Sequence, residues 1–335
     1  MSWRPTAARE TLRHRAVLLQ RARDFFAARR VLEVNTPIVV NAPVSDIHIH
    51  SARVELQDAD GARAGRGDHA EPAASDCSHP PRLFLHTSPE YAMKRLLAAG
   101  SGDIFQICPV VRGFERGRQH NAEFTLIEWY RQGFSLADLM AEVADLVRTL
   151  LGRPQRVEHI SYREVFLEQL HIDPFTATPT ELSTLAGDAG FRDTADSRDE
   201  LLELLMGTVI GPRLGHEALT FVHGYPATQA ALARLDPEDP RAALRFELYA
   251  RGMELANGFH ELLSATEQRA RFVHDNEERQ RAGRPVYPLD EQLLAALAAG
   301  LPDCAGVAVG FDRVVMLATG AQHIDEVLTF PTERA

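Results

Sequence analysis

Read as a β-strand, residues 123–130 direct their side chains alternately to two faces. One face of that strand would carry Phe124, Leu126, Glu128 and Tyr130. An aromatic ring, a carboxylate and a phenol are unusual neighbours on a core-facing surface. Such a face could stack a base and bind an ammonium group. For a single strand, an edge strand of mixed burial is the commoner explanation of such a face. The choice between the two explanations therefore depends on the rest of the chain.

The remaining periodic segments predict the fold class. Apolar residues at helical spacing predict helices over residues 10–30, 89–99, 136–151, 265–282, 291–299 and 312–318. Short apolar runs predict strands over residues 83–85, 104–111, 220–226, 246–250, 253–258 and 306–310. Strands joined in hairpins, with helices between the blocks, predict an α+β fold in which an antiparallel sheet is flanked by helices.

Two segments interrupt this pattern. Residues 57–82 are rich in glycine and charged side chains and lack an apolar period, which predicts a polar loop. Residues 156–240 predict a helix-rich insertion in which we identify no chemistry. No run approaches the length of a membrane span, and the first residues lack the apolar stretch of a secretory signal. We therefore expect a single domain over residues 1–335, located in the cytoplasm and not at a membrane.

Charge and cysteine content narrow the functional classes. The chain has 36 basic and 47 acidic residues, a net charge of −11, which argues against extensive contact with a nucleic acid backbone. An acidic chain suits a cationic substrate or a partner with a basic surface. The cysteines, Cys77, Cys108 and Cys304, are too widely separated for a disulfide framework or a metal motif. This distribution fits a reducing compartment.

Two carboxylates flank the predicted turn at residues 251–252. Glu247 and Glu254 would lie opposite or diagonal to one another on one face of the hairpin. Carboxylates this close repel unless a cation lies between them or they share a proton. Mg²⁺ prefers a few carboxylates together with substrate phosphates, so this pair is a candidate metal site. Two solvated surface acids are the alternative.

The same strand continues to Asn257 and Glu261. On a regular strand Glu261 would face away from Glu254, but a bulge at Gly258 would redirect it. A second carboxylate at the end of a pocket would bind an ammonium group.

Arg313 lies in the first turn of the last predicted helix. A cation beside the positive end of a helix dipole costs about 0.3–1 kcal/mol, so a bound anion between them would explain it better. Gly306 and Gly310 would let a ligand approach the backbone. The alternative is an ion pair of Arg313 with a nearby acid, such as Asp312 or Asp325.

Taken together, these residues describe activation of a carboxylate by ATP. Arg112 and Arg313 would bind phosphates while Phe124 stacks the base, and such cations stabilise an in-line displacement at the α-phosphate. A cationic amino acid would contact Glu90, Glu128, Tyr130, Asn257 and Glu261.

Several segments resemble the signature motifs of class II aminoacyl-tRNA synthetases. Residues 34–37 resemble motif 1, residues 112–130 motif 2 and residues 306–313 motif 3. Residues 87–91 and 254–262 resemble the lysyl-tRNA synthetase branch of that family. The resemblance extends from about residue 10 to the end, and it implies the class II catalytic fold.

One domain of the lysyl branch has no counterpart here. Its anticodon-binding OB-fold needs five strands, whereas one helix precedes motif 1. The sequence therefore resembles the stand-alone relatives of lysyl-tRNA synthetase that activate (R)-β-lysine as an adenylate and attach it to a lysine side chain of elongation factor P. This implies elongation factor P as partner, no tRNA, and a homodimer formed through the motif 1 region. A truncated lysyl-tRNA synthetase and a non-catalytic paralogue that binds an amino acid or a partner are the alternatives.

The resemblance also implies roles for individual residues. ATP would contact Arg112, Glu115, His120, Asn121, Phe124, Glu247, Glu254, Leu255, Gly310 and Arg313. The lysine-like substrate would contact Ser88, Glu90, Glu128, Tyr130, Asn257, Glu261 and Ala308. Arg112 and Arg313 would be catalytic, and Glu247 with Glu254 would hold Mg²⁺.

Three positions depart from the family pattern. Phe114 stands where motif 2 usually has a glutamate, and Glu115 follows one position later. Ala122 replaces the usual proline, which changes the stiffness of the loop. Ala308 stands where lysyl-tRNA synthetases have glycine. A methyl group at a substrate pocket is worth about 1–3 kcal/mol, or roughly 10–200-fold in discrimination, and here it favours β-lysine over α-lysine.

Overall fold

The computed structural model describes residues 3–56, 82–113, 115–191 and 197–335. Cys77, Phe114 and the predicted polar loop apart from Arg82 lie outside the described residues, so the predictions made for them stay predictions.

A mixed, mostly antiparallel sheet of eight strands forms the centre of the molecule. Its strands are β1 (Leu32–Glu33), β5 (Ile104–Val111), β6 (Glu123–Gln132), β7 (Val157–Ser161), β8 (Leu219–Pro226), β9 (Ala242–Ala250), β10 (Met253–His260) and β11 (Cys304–Gly310). They are ordered β1-β5-β6-β11-β10-β9-β8-β7. The two outermost pairs, β1–β5 and β7–β8, are parallel, and the pairs between them are antiparallel. A smaller sheet contains β2 (Val39–Val40), β3 (Arg53–Val54) and β4 (Leu83–Leu85).

Helices flank this sheet, so the predicted α+β class is confirmed. They are α1 (Arg9–Ala28), α2 (Glu90–Ala98), α3 (Leu136–Leu151), α4 (Tyr162–Leu170), α5 (Pro179–Asp188), α6 (Arg198–Leu205), α7 (Ala265–Arg281), α8 (Glu291–Gly300) and α9 (Phe311–Thr319). α3 has the bounds predicted from its apolar period, with a Ser135–Asp138 capping box at its start and a left-handed Gly152 after its end. Within the described ranges, no helix combines the length and the apolar character needed to cross a membrane.

The two faces of the sheet differ in chemistry. On one face, Ile127 and Trp129 of β6 and Val307 of β11 are buried in a core with α1, α3 and α9. The Trp129 indole donates to Glu142 of α3 at 3.0 Å, which satisfies its buried N–H. The other face carries the polar side chains of the same strands. The alternation predicted for β6 is therefore confirmed, and the polar face is left free to line a site.

The segment 156–240 is more closely joined to the sheet than predicted. Its helices α4, α5 and α6 are present, but its strands β7 and β8 extend the main sheet at one edge. Tyr162 and Leu202 from this segment pack with Tyr249 of β9 in a second hydrophobic cluster.

The hairpin of β9 and β10 contains a bulge, but not at the predicted place. Glu254 pairs with Tyr249 and Ala256 pairs with Leu248, so Leu255 is the extra residue. The prediction of a bulge at Gly258 is wrong. Glu261 is nevertheless redirected to the face that carries Glu254, as predicted. The extra residue at Leu255 moves every later side chain of β10 to the opposite face of the sheet.

Gly258 has a different role, which is close packing. A Cβ added there would lie 2.5 Å from the ring of Phe246 and 3.0 Å from Cβ of Val307. The strand can approach its neighbours at this point only because the side chain is absent.

Gly258→Ala is therefore expected to destabilise the protein by about 1–3 kcal/mol through overpacking. The free energy of unfolding from denaturant titration measures the change. Gly187→Ala is the matched control, because Gly187 is an exposed residue of α5 with no atom within 4 Å of an added Cβ. The control should be neutral or stabilised by up to about 1 kcal/mol. Equal effects of the two substitutions would contradict the packing argument.

Candidate active site

The register of the sheet brings distant parts of the chain into one row. Asn257 of β10 pairs with Glu247 of β9 on one side and with Ala308 of β11 on the other. Ala308 pairs in turn with Glu128 of β6, and Glu128 pairs with Gln106 of β5. Register partners point to the same face of a sheet. Five strands therefore contribute one side chain each to a continuous polar row.

The neighbouring row contains a glycine that the site requires. Gly306 of β11 pairs with Phe259 on β10 and with Tyr130 on β6. A Cβ at Gly306 would lie 2.3 Å from Tyr130 and 2.6 Å from Oε1 of Glu261. The absent side chain makes room for the phenol and the carboxylate to meet over the strand, and the approach of a ligand to Gly306 stays a prediction.

Two adjacent cavities lie on this face. The first, of about 290 Å³, is the carboxylate pocket, lined among others by Ser88, Glu90, Glu128, Tyr130, Asn257, Glu261 and Ala308. The second, of about 280 Å³, is the arginine pocket, lined among others by Arg112, Glu115, His120, Asn121, Phe124, Glu254, Leu255, Gly310 and Arg313. Arg112, Asn257 and Ala308 line both cavities. The structure thus gathers the residues that the sequence assigned to substrate and to ATP, apart from Glu247, into two connected cavities.

Glu128 lies at the inner end of the carboxylate pocket. It is 2% exposed, and it accepts hydrogen bonds from the hydroxyls of Ser88 and Tyr130, each at 2.8 Å. Burial, reinforced by the charge of Glu90, raises the pKa of Glu128 to about 8. Burial also raises the pKa of the fully buried Glu261 to about 7. In the empty pocket these groups hold protons near neutral pH that a bound cation would displace.

Lys94 is a functional residue that the sequence analysis missed. Its Nζ lies 2.7 Å from Oε1 of Glu90 and 2.6 Å from Oε2 of Glu261, and its side chain is 1% exposed. Burial by itself lowers the pKa of Lys94, but the two carboxylates outweigh it and hold that pKa above its usual value. Two signals were present in the sequence. Lys94 follows Glu90 by one helical turn, and it is the single lysine of the chain.

The segment 156–240, in which the sequence analysis identified no chemistry, contributes to the mouth of the carboxylate pocket. Five of its residues line the cavity opposite the sheet: Ser197, Asp199, Glu203, Thr228 and Gln229. No local motif distinguishes them, because they reach the cavity only when β8 joins the sheet.

Arg313 is held at one side of the arginine pocket. It donates to the carbonyl oxygens of Glu254 at 2.6 Å and Gln119 at 3.3 Å, and its other terminal nitrogen is 2.8 Å from Nε2 of His120. Because the guanidinium can only donate, Nε2 of His120 is the unprotonated nitrogen. Desolvation and the charges of Arg313 and Arg112 lower the pKa of His120 to about 4. The imidazole therefore stays neutral and adds no further positive charge.

The alternative ion pairs considered for Arg313 are absent. Asp312 is 1% exposed, accepts from the backbone N–H of Thr125 at 2.6 Å and pairs with Arg15 of α1. Asp312 thus joins α9, β6 and α1. The alternative of an ion pair with a nearby acid therefore holds for Glu254, whose carboxylate lies 3.6 Å from the guanidinium of Arg313, and not for the two acids named as examples, Asp312 and Asp325.

Ion pairs and hydrogen bonds hold the loop between β5 and β6 against the C-terminal segment. Arg116 binds Asp325 through two nitrogens, at 3.0 and 2.8 Å, and contacts Glu333 at 3.1 Å. Asn121, predicted to contact ATP, donates to the carbonyl of Glu123 at 2.6 Å and accepts from the N–H of Thr332 at 3.2 Å. The side chain of Asn121 therefore also fixes the loop against the chain end.

Arg112 and Phe124 lie together where the two pockets meet. The guanidinium carbon of Arg112 is 5.2 Å from the centre of the Phe124 ring, and its Nε donates to the carbonyl of Thr87 at 3.3 Å. The ring of Phe124 is partly exposed to the arginine pocket. This arrangement fits the predicted stacking of a base on Phe124, which stays a prediction.

The predicted metal pair already has protein partners. Glu247 and Glu254 lie on the same face as diagonal neighbours, as predicted. Glu247 accepts from Arg245 and from the hydroxyl of Tyr249, both at 2.6 Å. In the described part of the chain, no group of three or more His, Cys, Asp or Glu side chains is placed to hold a metal ion. The carboxylate of Glu254, with its side chain 40% exposed, is the accessible member of the pair.

The raised pKa of Glu128 predicts a pH dependence of stability. The folded protein binds a proton at Glu128 up to about pH 8, whereas the unfolded chain releases it near 4.5. The resulting stabilisation is complete below pH 4.5 and is lost as the pH rises through 8. The midpoint temperature of thermal unfolding of the wild type should decrease as the pH is raised from 5 to 8.5, and Glu128→Gln should make that decrease smaller. Glu168→Gln, which changes an exposed glutamate of α4, should show the same decrease as the wild type. Identical profiles for the three proteins would contradict the assignment.

Comparison with known proteins agrees with this geometry. Residues 1–334 match the family model of the class II tRNA synthetases (D, K and N). A Vibrio parahaemolyticus protein named elongation factor P--(R)-beta-lysine ligase is 46% identical over 335 residues, covering 98% of each chain. Its namesake in Klebsiella pneumoniae is 46% identical over 337 residues, covering 100% of this chain and 98% of the relative.

A third relative of the same name, from Vibrio cholerae, is 47% identical over 336 residues, covering 99% of this chain and 98% of its own. The resemblance drawn from the motifs is thereby confirmed. The chain belongs to the class II tRNA synthetases of the D, K and N type and, within them, to the family of the elongation factor P--(R)-beta-lysine ligases.

Proposed function

We propose that this chain activates (R)-β-lysine with ATP as an adenylate and transfers the β-lysyl group to a lysine side chain of elongation factor P. The observation that carries the proposal is the pair of adjoining cavities that meet at Arg112, one lined by the buried Glu128 and Glu261 and the other by Arg313 and His120. The names of the curated relatives support the choice of substrate and acceptor.

Each cavity suits one end of the first reaction. The buried glutamates of the carboxylate pocket favour ammonium groups, and the carboxylate of the amino acid would extend towards Arg112. Arg112 and Arg313 would bind the phosphates in the arginine pocket, beside a neutral His120. A carboxylate oxygen then bonds to the α-phosphorus as the bond to the β-phosphate oxygen breaks, and pyrophosphate leaves. Orientation and charge stabilisation suffice for this step.

The second reaction forms the amide. The acceptor amine bonds to the carbonyl carbon of the adenylate, AMP leaves with the bonding electrons, and the amine loses a proton. No residue at the described site is obliged to take that proton. The polar mouth formed by the segment 156–240 supports an approach of the acceptor side chain from that direction.

Magnesium is part of the proposal. A bound Mg²⁺ would neutralise phosphate charge, and the accessible carboxylate of Glu254 would hold it with the phosphates. Glu247 already accepts hydrogen bonds from Arg245 and Tyr249. It would therefore support Glu254 and would not bind the metal ion directly.

A homodimer located in the cytoplasm and independent of tRNA completes the proposal. Apolar side chains are exposed on α1 and the motif 1 segment that follows it: Val17 is 49% exposed, Leu32 55% and Ile38 40%. Such side chains support a subunit contact there. Cys108 and Cys304 are free thiols, which supports a reducing compartment.

Activation and transfer can be measured separately. With ATP, Mg²⁺ and (R)-β-lysine the protein should exchange pyrophosphate into ATP, and it should add the mass of one β-lysyl group to elongation factor P. Arg313→Ala should lower the exchange rate by about 10²–10³-fold. Arg241→Ala, which removes a surface arginine paired with Asp239, is the matched control and should not change it. Charged lysine tRNA would support a truncated synthetase instead, and no exchange with any amino acid would contradict the enzymatic proposal.

Ala308 tests the choice between the two lysine isomers. Its methyl group lies in the row between Asn257 and Glu128 and lines both cavities. Ala308→Gly should raise kcat/KM for α-lysine relative to β-lysine by about 10-fold or more. Ala305→Gly removes a methyl from the opposite face of the same strand, in the hydrophobic core, and should leave the ratio unchanged. An unchanged ratio in Ala308→Gly would show that this methyl does not discriminate between the isomers.

A further inference from the structure

Lys94 is buried and lies between the carboxylates of Glu90 and Glu261. Of the 36 basic residues, it alone is a lysine and the others are arginines. It is held behind the carboxylate pocket by α2, which is anchored through the buried Met93 and Leu97. An ammonium is compact and directs three donors, whereas a guanidinium is planar and larger. Geometry as well as charge therefore distinguishes this position.

The inner end of the carboxylate pocket has more negative than positive charge. Glu90, Glu128 and Glu261 contribute three carboxylates there, and Lys94 contributes one ammonium. The two arginines that line the same cavity have other partners: Arg245 pairs with Glu247, and Arg112 lies at the junction with the arginine pocket. When the three carboxylates are ionised, two negative charges are left without a counter-ion.

Glu261 also has unused hydrogen-bonding capacity. Among the described residues, its Oε1 has no hydrogen-bond partner, and its Oε2 contacts Lys94 at 2.6 Å. Glu261 is 0% exposed and lines the pocket. A buried carboxylate in this state favours a ligand that brings N–H donors and positive charge.

We propose that Lys94 is a positioning residue that sets the charge of the pocket, so that two carboxylates are left to bind the two ammonium groups of a diamino acid. Lys94 acts through Glu90 and Glu261 and does not itself contact the substrate. The inference rests on the proposed function, since it takes the carboxylate pocket as the amine site. It adds the reason why the pocket prefers a substrate with two ammonium groups to one with a single ammonium group.

Lys94→Met tests the charge count, because methionine has a similar length and no charge. With a diamino acid bound, the variant has one carboxylate without a counter-ion, and that carboxylate must take up a proton. The infrared spectrum of the Lys94→Met complex with (R)-β-lysine near neutral pH should therefore show the C=O absorption of one more protonated carboxyl group than the wild-type complex does. The ionisable groups around Lys94 that bear on this protonation are Glu90, Glu261, Glu128, Tyr130, Cys304 and Arg234.

Two control variants separate charge from structure. Lys94→Arg retains the charge, so its complex should show no added carboxyl absorption, whatever its larger size does to KM. Arg95→Met removes one positive charge from the neighbouring, exposed position of α2, and the absorption of its complex should match that of the wild type. A Lys94→Met complex without the added absorption would overturn the proposal.

The single lysine allows a test that does not depend on the variants folding. Protein with ¹³C-labelled lysine, and without a lysine-containing tag, gives the side-chain signals of Lys94 alone. Adding (R)-β-lysine or α-lysine should shift the Cε signal, and norleucine, which lacks the second amine, should shift it much less. Equal shifts from the diamino acids and norleucine, or none at saturating diamino acid, would overturn the proposal.

The proposed reaction and the proposed role of Lys94 can be contradicted separately. Absence of pyrophosphate exchange with intact shifts of the Lys94 signal would contradict the proposed reaction and leave the charge-setting role standing. Normal exchange, with no added protonated carboxyl group in the Lys94→Met complex, would contradict the role of Lys94 and leave the reaction standing.

Discussion

The burial of three carboxylates around one ammonium is the constraint on which this active site depends. Glu90, Glu128 and Glu261 are each less than a tenth exposed, and Lys94 bridges two of them. Such a cluster is costly to assemble, since ionised groups out of water must be paired or must hold protons. Three separate elements hold it: α2 supplies Glu90 and Lys94, β6 supplies Glu128, and the chain after β10 supplies Glu261.

The rest of the site face complements that cluster. On the far side of Arg112 the second cavity is lined by Arg313 and a neutral His120 together with Glu115, Glu254 and Asp312, whereas buried carboxylates line the inner end of the first. Asp312 and Arg116 join α1, α9 and the C-terminal segment to the strands that carry the site. A site built on strands and braced in this way is preorganised for a reaction that depends on orientation.

Much of the fold could be predicted from the sequence because the relevant signals are local. The alternation of β6, the capped amphipathic α3 and the turn before Met253 depend on neighbouring residues, and each lies where its pattern indicates. The motifs also identified residues that the structure gathers into two cavities. The bulge was misplaced, because a bulge at Leu255 and one at Gly258 give the same parity at Glu261, and a one-dimensional pattern does not distinguish them.

By itself, the sequence determined the class II catalytic fold, the family, and the identity of the residues facing the cleft, because these depend on local periodicity and on motifs with fixed spacing. Only the tertiary structure decided how the charges pair. It assigned Arg245 to Glu247, His120 to Arg313 and Lys94 to Glu90 and Glu261. It also brought a segment without any motif to the mouth of the pocket. The physical reason is that the state of a buried ionisable group is set by its spatial neighbours and its burial, and neither can be read from its position along the chain.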